Sequence, residues 1–332
     1  MRPKIYLTQP VAPSAIARLE KVADLTINRD ALHIATKDEL LQAAREHDII
    51  FCLLHDKIDA DIINANPRLK AIASMTITPA DIDIPAATAR KLPVTVIPAL
   101  LLNDATSDLA WALLMTVARR VAEGDRLLRS GVFPGSQSSY MVGGGVSGKT
   151  LGLIGVGGVG SAMAKRAGGF SMPVIYHDPR RLSPEKEKEL GATWLPFDEV
   201  FRQADFVSLH VQLTLQTRHL VGAAQFALMK PTAYIINSSR GPVIDELALV
   251  EALKEKRIAG AGLDVYEHEP RPHPDLQKMD NVVCTPHVGS AITELRESMA
   301  NVVVDNILAI LDGRQPPNCW NADIYNQERN PF

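Results

Sequence analysis

The chain has 332 residues, of which 46% are hydrophobic and 22% are charged, and its formal net charge is −3. This length suggests two domains of ordinary size, and the composition allows each of them to bury a core. The small net charge and the scattered basic residues exclude the basic surface that is typical of nucleic-acid binding.

The cysteines and the hydropathy pattern narrow the class of protein further. Cys52, Cys284 and Cys319 are far apart and odd in number. They fit neither a disulfide framework nor a thiolate metal site, so we expect reduced thiols and no metal. The first residues resemble a β-strand rather than a signal peptide, and no apolar run approaches the roughly 18 residues of a membrane helix, which indicates a cytoplasmic protein.

Short apolar, β-branched runs alternate with helical patterns along the whole chain, which is typical of βαβ units and parallel sheets. In the first hundred residues the predicted strands are Lys4–Thr8, Asp48–Leu54, Leu69–Ala73 and Val94–Ile97, and the predicted helices include Ser14–Lys21 and Lys37–Arg45. This part of the chain has no glycine-rich phosphate loop, so we predict a small α/β domain of its own.

A long helix rich in Ala and Leu is predicted over Asp104–Ser130, with Gly131 as its end signal. A second alternating series follows it. The six predicted strands of this series are Thr150–Ile154, Pro173–Tyr176, Phe206–His210, Ala233–Asn237, Gly260–Leu263 and Asn281–Cys284. Six strands with intervening helices are what a complete dinucleotide-binding sheet requires.

The last predicted helix, Ile292–Leu311, has no further strand to lead into, so we expect it to return to the first domain. The sequence therefore predicts an α/β protein with two parallel-sheet domains of the Rossmann or flavodoxin type. The dinucleotide-binding domain, residues 103–290, is predicted to be inserted into a substrate domain formed by residues 1–102 and 291–332.

The first strand of the second series leads into a G-x-G-x-x-G sequence at the start of a predicted helix. In this fingerprint Gly155 permits a tight turn, Gly157 lets the backbone approach a pyrophosphate, and Gly160 lets the helix pack closely on the strand. The free N–H groups at the start of the helix would bind the phosphates. A glycine turn without a ligand is the competing explanation.

An acidic residue in the right place supports the dinucleotide interpretation. Asp178 follows the second strand of this series and lies 23 residues after Gly155, close to the roughly 20 at which a carboxylate accepts hydrogen bonds from the ribose hydroxyls. A carboxylate there repels the 2′-phosphate of NADP, so we predict NAD as the cofactor. Arg180 and Arg181 follow directly and would offset part of that preference.

Three later strands end in polar segments that supply an arginine, a glutamate and a histidine. These segments are Asn237–Pro242, Glu267–Pro270 and Thr285–Ser290. Because the carboxyl ends of parallel strands line the ligand crevice of an open sheet, we predict that the three segments form one site. Taken singly, the arginine and the glutamate are better explained as solvated side chains and the histidine as a structural residue.

In this order, the segments resemble those of the D-isomer-specific 2-hydroxyacid dehydrogenase family, which includes glyoxylate/hydroxypyruvate reductases, D-lactate dehydrogenases and phosphoglycerate dehydrogenases. The resemblance spans nearly the whole chain and includes residues 102–110, 148–152 and 208–211. It implies an NAD-dependent oxidoreductase that moves a hydride between a nicotinamide and C2 of a small 2-oxo or D-2-hydroxy acid. It also implies a homodimer formed through the predicted helix Asp104–Ser130 and its flanks.

The resemblance also implies roles for single residues. Arg240 would bind the substrate carboxylate and carbonyl oxygen through its planar fork. His287 would exchange a proton with the substrate oxygen, and Glu269 would orient His287 and favour its protonated form. The implied cofactor contacts are Thr106, Gly155, Gly157, Gly158, Val159, Gly160, Asp178, Ser238, Ser239, Arg240, Asp264 and His287. The implied substrate contacts are Ile77, Thr78, Arg240 and His287.

Three positions depart from the family pattern. Thr78 stands where the family usually has a glycine whose loop binds the carboxylate through N–H groups, and the following Pro79 stiffens that loop. Ser136 lies in a segment where many relatives have a tryptophan, and Gln212 replaces the usual proline. These departures concern the substrate pocket, and the sequence leaves glyoxylate, hydroxypyruvate and larger 2-oxo acids open.

Related proteins differ from this chain at identifiable positions. Formate dehydrogenases have a glutamine in place of Glu269, and phosphite dehydrogenases have a lysine in place of Ile77. Phosphoglycerate dehydrogenases often carry a regulatory domain, for which this chain has no room. The non-enzymatic alternative is an NAD-binding corepressor, which usually continues into a disordered tail, whereas only a short polar segment follows Pro317 here.

Overall fold

The computed structural model of the protein describes residues 2–79 and 81–325. Two compact units make up this structure. The first unit combines the described parts of Met1–Leu101 and Ile292–Phe332, and the second is the continuous stretch Leu102–Ala291. Each unit contains its own parallel sheet, which confirms the predicted α/β class with two parallel-sheet domains.

The first unit has a five-stranded sheet with the order β2-β1-β3-β4-β5. Its strands are β1 Lys4–Leu7, β2 Asp24–Ile27, β3 Ile49–Cys52, β4 Ala71–Ser74 and β5 Val94–Thr95. All four strand pairs are parallel. Strand β2 was missed by the sequence prediction because it lies at the edge of the sheet, where none of its four residues is buried and no apolar run is needed.

Within the described residues, five α-helices cover this sheet. They are α1 Pro13–Glu20, α2 Lys37–Glu46, α3 Ala60–Asn64, α4 Ile84–Ala89 and α12 Thr293–Leu311. Helix α2 begins at a capping box, in which Thr36 Oγ1 accepts from the N–H of Glu39 at 3.3 Å and Glu39 Oε2 accepts from the N–H of Thr36 at 2.7 Å. Helix α12 packs against α1 and β4, so this helix belongs to the first sheet's core.

The second unit has a seven-stranded sheet with the order β12-β11-β10-β9-β6-β7-β8. Its strands are β6 Leu151–Ile154, β7 Val174–His177, β8 Ala192–Trp194, β9 Phe206–Leu209, β10 Tyr234–Asn237, β11 Gly260–Leu263 and β12 Val282–Cys284. The prediction of six strands was therefore one short. The missing strand, β8, is three residues long and lies at the edge beyond β7, so it lacks the buried run that marks a central strand.

Seven helices belong to the second unit. They are α5 Asn103–Ala118, α6 Val121–Arg129, α7 Gly158–Gly168, α8 Pro184–Leu190, α9 Phe197–Gln203, α10 Ala223–Leu228 and α11 Glu246–Lys254. The predicted single helix Asp104–Ser130 was wrong, because Arg120 has a φ of +52° and separates α5 from α6. No glycine or proline marks this break, and the Arg120 guanidinium is held by Glu123 at 2.7 and 2.8 Å.

Both faces of the seven-stranded sheet are buried under helices. Residues of α5 and α7 belong to one apolar cluster, and residues of α9, α10 and α11 belong to the other. The chain order reverses between β6 and β9, so the topological switch point lies at the end of β6. In open parallel sheets this is the place where ligands bind. No helix of the described residues is long and apolar enough to cross a membrane.

Candidate functional site

The glycine-rich loop leaves the carboxyl end of β6 at the switch point. Gly155 has a φ of +87°, and a Cβ atom on it would lie 2.7 Å from the carbonyl oxygen of His210, just after β9. A Cβ atom on Gly160 would lie 2.2 Å from the carbonyl oxygen of Gly155. Both positions therefore require glycine because the backbone packs too closely for any side chain.

Gly157 is different, because a Cβ atom there would meet no atom of the chain within 4 Å. This residue is the N-cap of α7, whose first N–H groups have no partner within the helix. Open space at a helix N-terminus with free donors fits a pyrophosphate. At Gly158 the space is closed by the side chain of Asn103, whose Oδ1 would lie 2.2 Å from a Cβ atom. Sequence reasoning had not assigned Asn103 a role at this loop.

Asp178 follows β7 directly and lies beside the same loop. Its Oδ2 accepts a hydrogen bond from the N–H of Val156 at 3.1 Å, and its Oδ1 accepts one from the N–H of Arg180 at 3.0 Å. The carboxylate is thus fixed next to the glycine loop, at the strand end where dinucleotide-binding proteins recognise the ribose.

Arg181, which the sequence suggests as a counter-charge to Asp178, is already paired. Its Nε and Nη2 donate to the two carboxylate oxygens of Glu187 at 2.8 and 3.0 Å, and its guanidinium lies 5.9 Å from the ring centroid of Trp194. Hydrogen bonds from Arg181 and from the Tyr176 hydroxyl lower the pKa of Glu187 to about 2. This bidentate geometry holds Arg181 toward α8.

On the other side of the switch point, Arg240 lies in a turn after β10 that is organised by a buried asparagine. The Nδ2 of Asn237 donates to the carbonyl oxygen of Arg240 at 3.0 Å, and its Oδ1 accepts from the N–H and Oγ of Ser239 at 3.0 and 2.8 Å. Burial lowers the pKa of Arg240, and the negative charge of Glu269 opposes this shift. The guanidinium stays a cation because its ordinary pKa lies far above neutrality.

The neighbouring Ser238 supplies an observation that bears on a bound cofactor. Among the described residues, its buried Oγ has no hydrogen-bond partner. Buried polar atoms are rarely left unpaired, because each one loses its hydrogen bonds to water. A ligand group at this strand end would complete the hydrogen bonding. With the open space at Gly157, this fits a dinucleotide bound along the carboxyl edge of the sheet.

His287 and Glu269 form the hydrogen-bonded pair at the ends of β12 and β11. The Nδ1 atom of His287 lies 2.8 Å from Oε2 of Glu269, and both side chains are mostly buried, with 23% and 17% of their surface exposed. The other carboxylate oxygen of Glu269 accepts from the N–H of Tyr266 at 3.0 Å. Because a carboxylate only accepts, Nδ1 carries the proton of this bond.

Asp264 holds the loop that carries His287. Its carboxylate is buried and accepts from Thr285 Oγ1 at 2.7 Å and from the N–H groups of Val288 and Gly289 at 2.8 Å each. Burial raises the pKa of Asp264, and these hydrogen bonds oppose the shift. His287 itself has a φ of +54° and donates its N–H to the carbonyl oxygen of Asp264 at 2.9 Å. Both carboxylate oxygens of Asp264 thus accept hydrogen bonds from the chain itself. The sequence did not predict this structural role.

The remaining residues that the sequence singled out lie elsewhere. Thr106, on α5, lies next to Gly289, and a Cβ atom on that glycine would lie 3.6 Å from the threonine side chain. Ile77 and Thr78 belong to the first unit and form a bend after β4, in which Thr76 Oγ1 donates to the carbonyl oxygen of Thr78 at 2.8 Å. Ser136 and Gln212 are exposed on the second unit. No group of three or more potential metal ligands exists within residues 2–79 and 81–325.

Three comparisons identify the family. Residues 111–289 match the model of the D-isomer specific 2-hydroxyacid dehydrogenase, NAD binding domain. The chain is 44% identical to a glyoxylate reductase of Thermococcus litoralis over 328 residues, which cover 98% of each chain. The structure resembles that of a protein from Thermus thermophilus, with 38% identity, a TM-score of 0.88 and coverage of 96% of this chain and 99% of that one.

A third relative bears on the cofactor. The structure of an NADPH-dependent glyoxylate/hydroxypyruvate reductase from Sinorhizobium meliloti matches with 29% identity and a TM-score of 0.79, over 97% of this chain and 98% of that one. The family match, the full-length relatives and the geometry of the glycine loop agree with each other. The chain therefore belongs to the D-isomer specific 2-hydroxyacid dehydrogenase family and is an NAD(P)-dependent oxidoreductase.

Proposed function

We propose that the protein reduces a small 2-oxo acid of the glyoxylate or hydroxypyruvate type to the D-2-hydroxy acid, or catalyses the reverse oxidation. The observation that carries this proposal is the 2.8 Å contact between His287 and Glu269, with the Arg240 cation close enough for its charge to interact with Glu269. The relatives named glyoxylate reductase support this substrate class. A nicotinamide cofactor, when bound, supplies or accepts the hydride.

The protein's own residues would manage the charge and the proton. Arg240 binds the carboxylate of the acid through its planar fork and polarises the carbonyl oxygen. His287 gives a proton to the oxygen that becomes the hydroxyl, and Glu269 stabilises the imidazolium before that transfer. In the oxidative direction His287 takes the proton from the hydroxyl group.

The second unit would bind the cofactor through Gly155, Gly157, Val159 and Ser238, and the family resemblance assigns further contacts. The first unit would be the substrate domain. The resemblance also assigns Ile77 and Thr78 to the substrate. A panel of 2-oxo acids assayed by NADH and by NADPH oxidation tests the whole proposal. Absence of turnover with every acid would overturn it in favour of a non-catalytic NAD-binding protein. Thr78→Gly, which restores the family's usual residue, should change KM for the acid if Thr78 contacts it.

We further propose that NAD is preferred over NADP. Support comes from the Asp178 carboxylate beside the loop and from the pairing of Arg181 with Glu187, which holds a nearby cation away from a 2′-phosphate. Asp178→Ser should lower the affinity for NADH by about tenfold, because it removes hydrogen bonds to a charged group. It should also reduce the preference for NADH over NADPH. Equal kcat/KM of the unchanged protein with NADH and NADPH would contradict the assignment of Asp178 to the ribose.

A homodimer is proposed from the family resemblance and from the exposed apolar side chains of residues 121–142. Leu128, Val132, Phe133 and Val142 are exposed by 47% to 73%, which is typical of an interaction surface. Within α5, by contrast, Leu113 is buried inside its own unit. Light scattering should show a dimer at micromolar concentration, and Phe133→Asp should shift it toward the monomer. A stable monomer of the unchanged protein would contradict this proposal.

A further inference from the structure

One buried carboxylate lies next to the site and has no part in the mechanism proposed above. Glu246 is the first residue of α11, yet only 8% of its surface is exposed. Its Oε2 accepts the N–H of Glu267 at 2.8 Å, and its Oε1 accepts the N–H of His273 at 2.7 Å. A buried carboxylate is costly unless it is hydrogen-bonded, so both contacts stabilise this placement.

These two donors lie on either side of Glu269. The segment from Glu267 to His273 contains no helix or strand, so no sheet or helix ladder holds it in place. The contact is reciprocal, because Glu267 Oε2 accepts the N–H of Glu246 at 3.3 Å. The other oxygen of Glu267 contacts Arg218 at 3.2 Å and His219 at 2.5 Å. Glu246 therefore links both ends of this segment to the start of α11 through hydrogen bonds.

The turn that carries Arg240 lies against the same segment. A Cβ atom on Gly241 would lie 1.8 Å from the carbonyl oxygen of Tyr266, so the turn after β10 packs directly on the segment after β11. Helix α11 begins shortly after that turn. The segment that Glu246 holds is therefore also the one on which the backbone next to Arg240 packs.

We propose that Glu246 is a positioning residue that keeps the Glu269 carboxylate in contact with His287. This inference rests on the proposed function, in which Glu269 supports proton transfer by His287; we call this pair the relay. A carboxylate suits the position because two N–H donors need two acceptors and because the start of a helix favours negative charge. A glutamine would satisfy only one of the two donors, whichever way its amide is turned.

The test uses Glu246→Gln in the full-length protein, alongside Glu269→Gln. We expect kcat to fall about tenfold, as for one lost hydrogen bond to a charged group, with the Kd for NADH unchanged. The pH–rate profile for reduction should move to lower pH, in the same direction as in Glu269→Gln but by less. Hydrogen exchange at the amides of Glu267 and His273 should become faster. Glu246→Asp keeps the charge but is one methylene shorter, so its pH profile should lie between those of Glu246→Gln and the unchanged protein.

A matched control lies one residue earlier. The side chain of Asp245 caps α11 by accepting from the N–H of Ala248 at 3.1 Å, so Asp245→Ala should lower Tm while leaving the pH profile in place. If Glu246→Gln and Glu246→Asp both retain the unchanged profile while Glu269→Gln shifts it, the positioning role is wrong and the relay stands. If Glu269→Gln also leaves the profile unmoved, the relay is wrong and the positioning role falls with it.

Discussion

The carboxyl edge of the seven-stranded sheet is built by different means on its two sides. After β6 the site consists of backbone, with Gly155 and Gly160 required by nearby carbonyl oxygens and Gly157 open to a ligand. After β10, β11 and β12 it consists of side chains on three separate segments. Buried polar residues such as Asn237 and Asp264 hold those segments in place.

From this difference we infer that phosphate binding and proton transfer depend on different parts of one sheet. The backbone side tolerates no added atom at Gly155 or Gly160, and its glycine loop comes from a single stretch of chain. The side-chain side depends on hydrogen bonds between residues that are distant in sequence. Substitutions on the two sides should therefore give different kinetic signatures.

The largest effect is expected from His287→Ala. Removal of the general acid should lower kcat by roughly 10²–10⁴-fold. The Kd for NADH, measured by fluorescence titration, should change little because the glycine loop is untouched. A large loss of NADH affinity in this variant would show that the two sides of the edge are not separable.

Gly160→Ala is the converse experiment. Its Cβ atom would lie 2.2 Å from the carbonyl oxygen of Gly155, so α7 has to move away from the loop. Overpacking of this kind costs about 1–3 kcal/mol, and we expect NADH affinity to fall about ten- to hundredfold. The control is Gly168→Ala on the same helix, where a Cβ atom meets nothing within 4 Å and NADH affinity should stay unchanged. Equal losses in both variants would contradict the steric argument.

Glu269→Gln tests the side of the carboxyl edge that is built from side chains after β10, β11 and β12. The amide keeps the shape of the side chain but removes the negative charge 2.8 Å from His287, so the imidazolium is less favoured. The pH–rate profile for reduction should therefore move to lower pH. A profile that overlays that of the unchanged protein would refute the relay.

The smallest effect is expected from Glu187→Gln, which tests whether side chains also matter on the backbone half. Loss of the carboxylate releases Arg181, so kcat/KM for NADPH should rise relative to NADH by about two- to fivefold, the range of an exposed ion pair. Glu189→Gln, on the same helix and paired with Lys186 at 2.9 Å, should leave the ratio unchanged. A ratio that moves equally in both variants would indicate a general charge effect.

By itself the sequence determined the order of the elements, the glycine loop and the three strand ends. These features rest on local signals: β-branched runs, glycine spacing, and polar residues directly after buried strands. The structure places Asp178 beside the loop and His287 next to Glu269, as that order predicts. Local signals suffice because parallel strands bring their carboxyl ends to one edge whatever lies between them.

Only the tertiary structure decided which residues hold that edge together. The helix break at Arg120 carries no glycine or proline, and the edge strands β2 and β8 have no buried run to mark them. Nothing in the sequence marks Glu246, and the family resemblance assigns Asp264 only to the cofactor, yet in the structure each accepts N–H groups from a segment about twenty residues or more away. Such pairings depend on which strands become neighbours in the folded chain. The order of residue types along the sequence does not specify which distant segments lie close together.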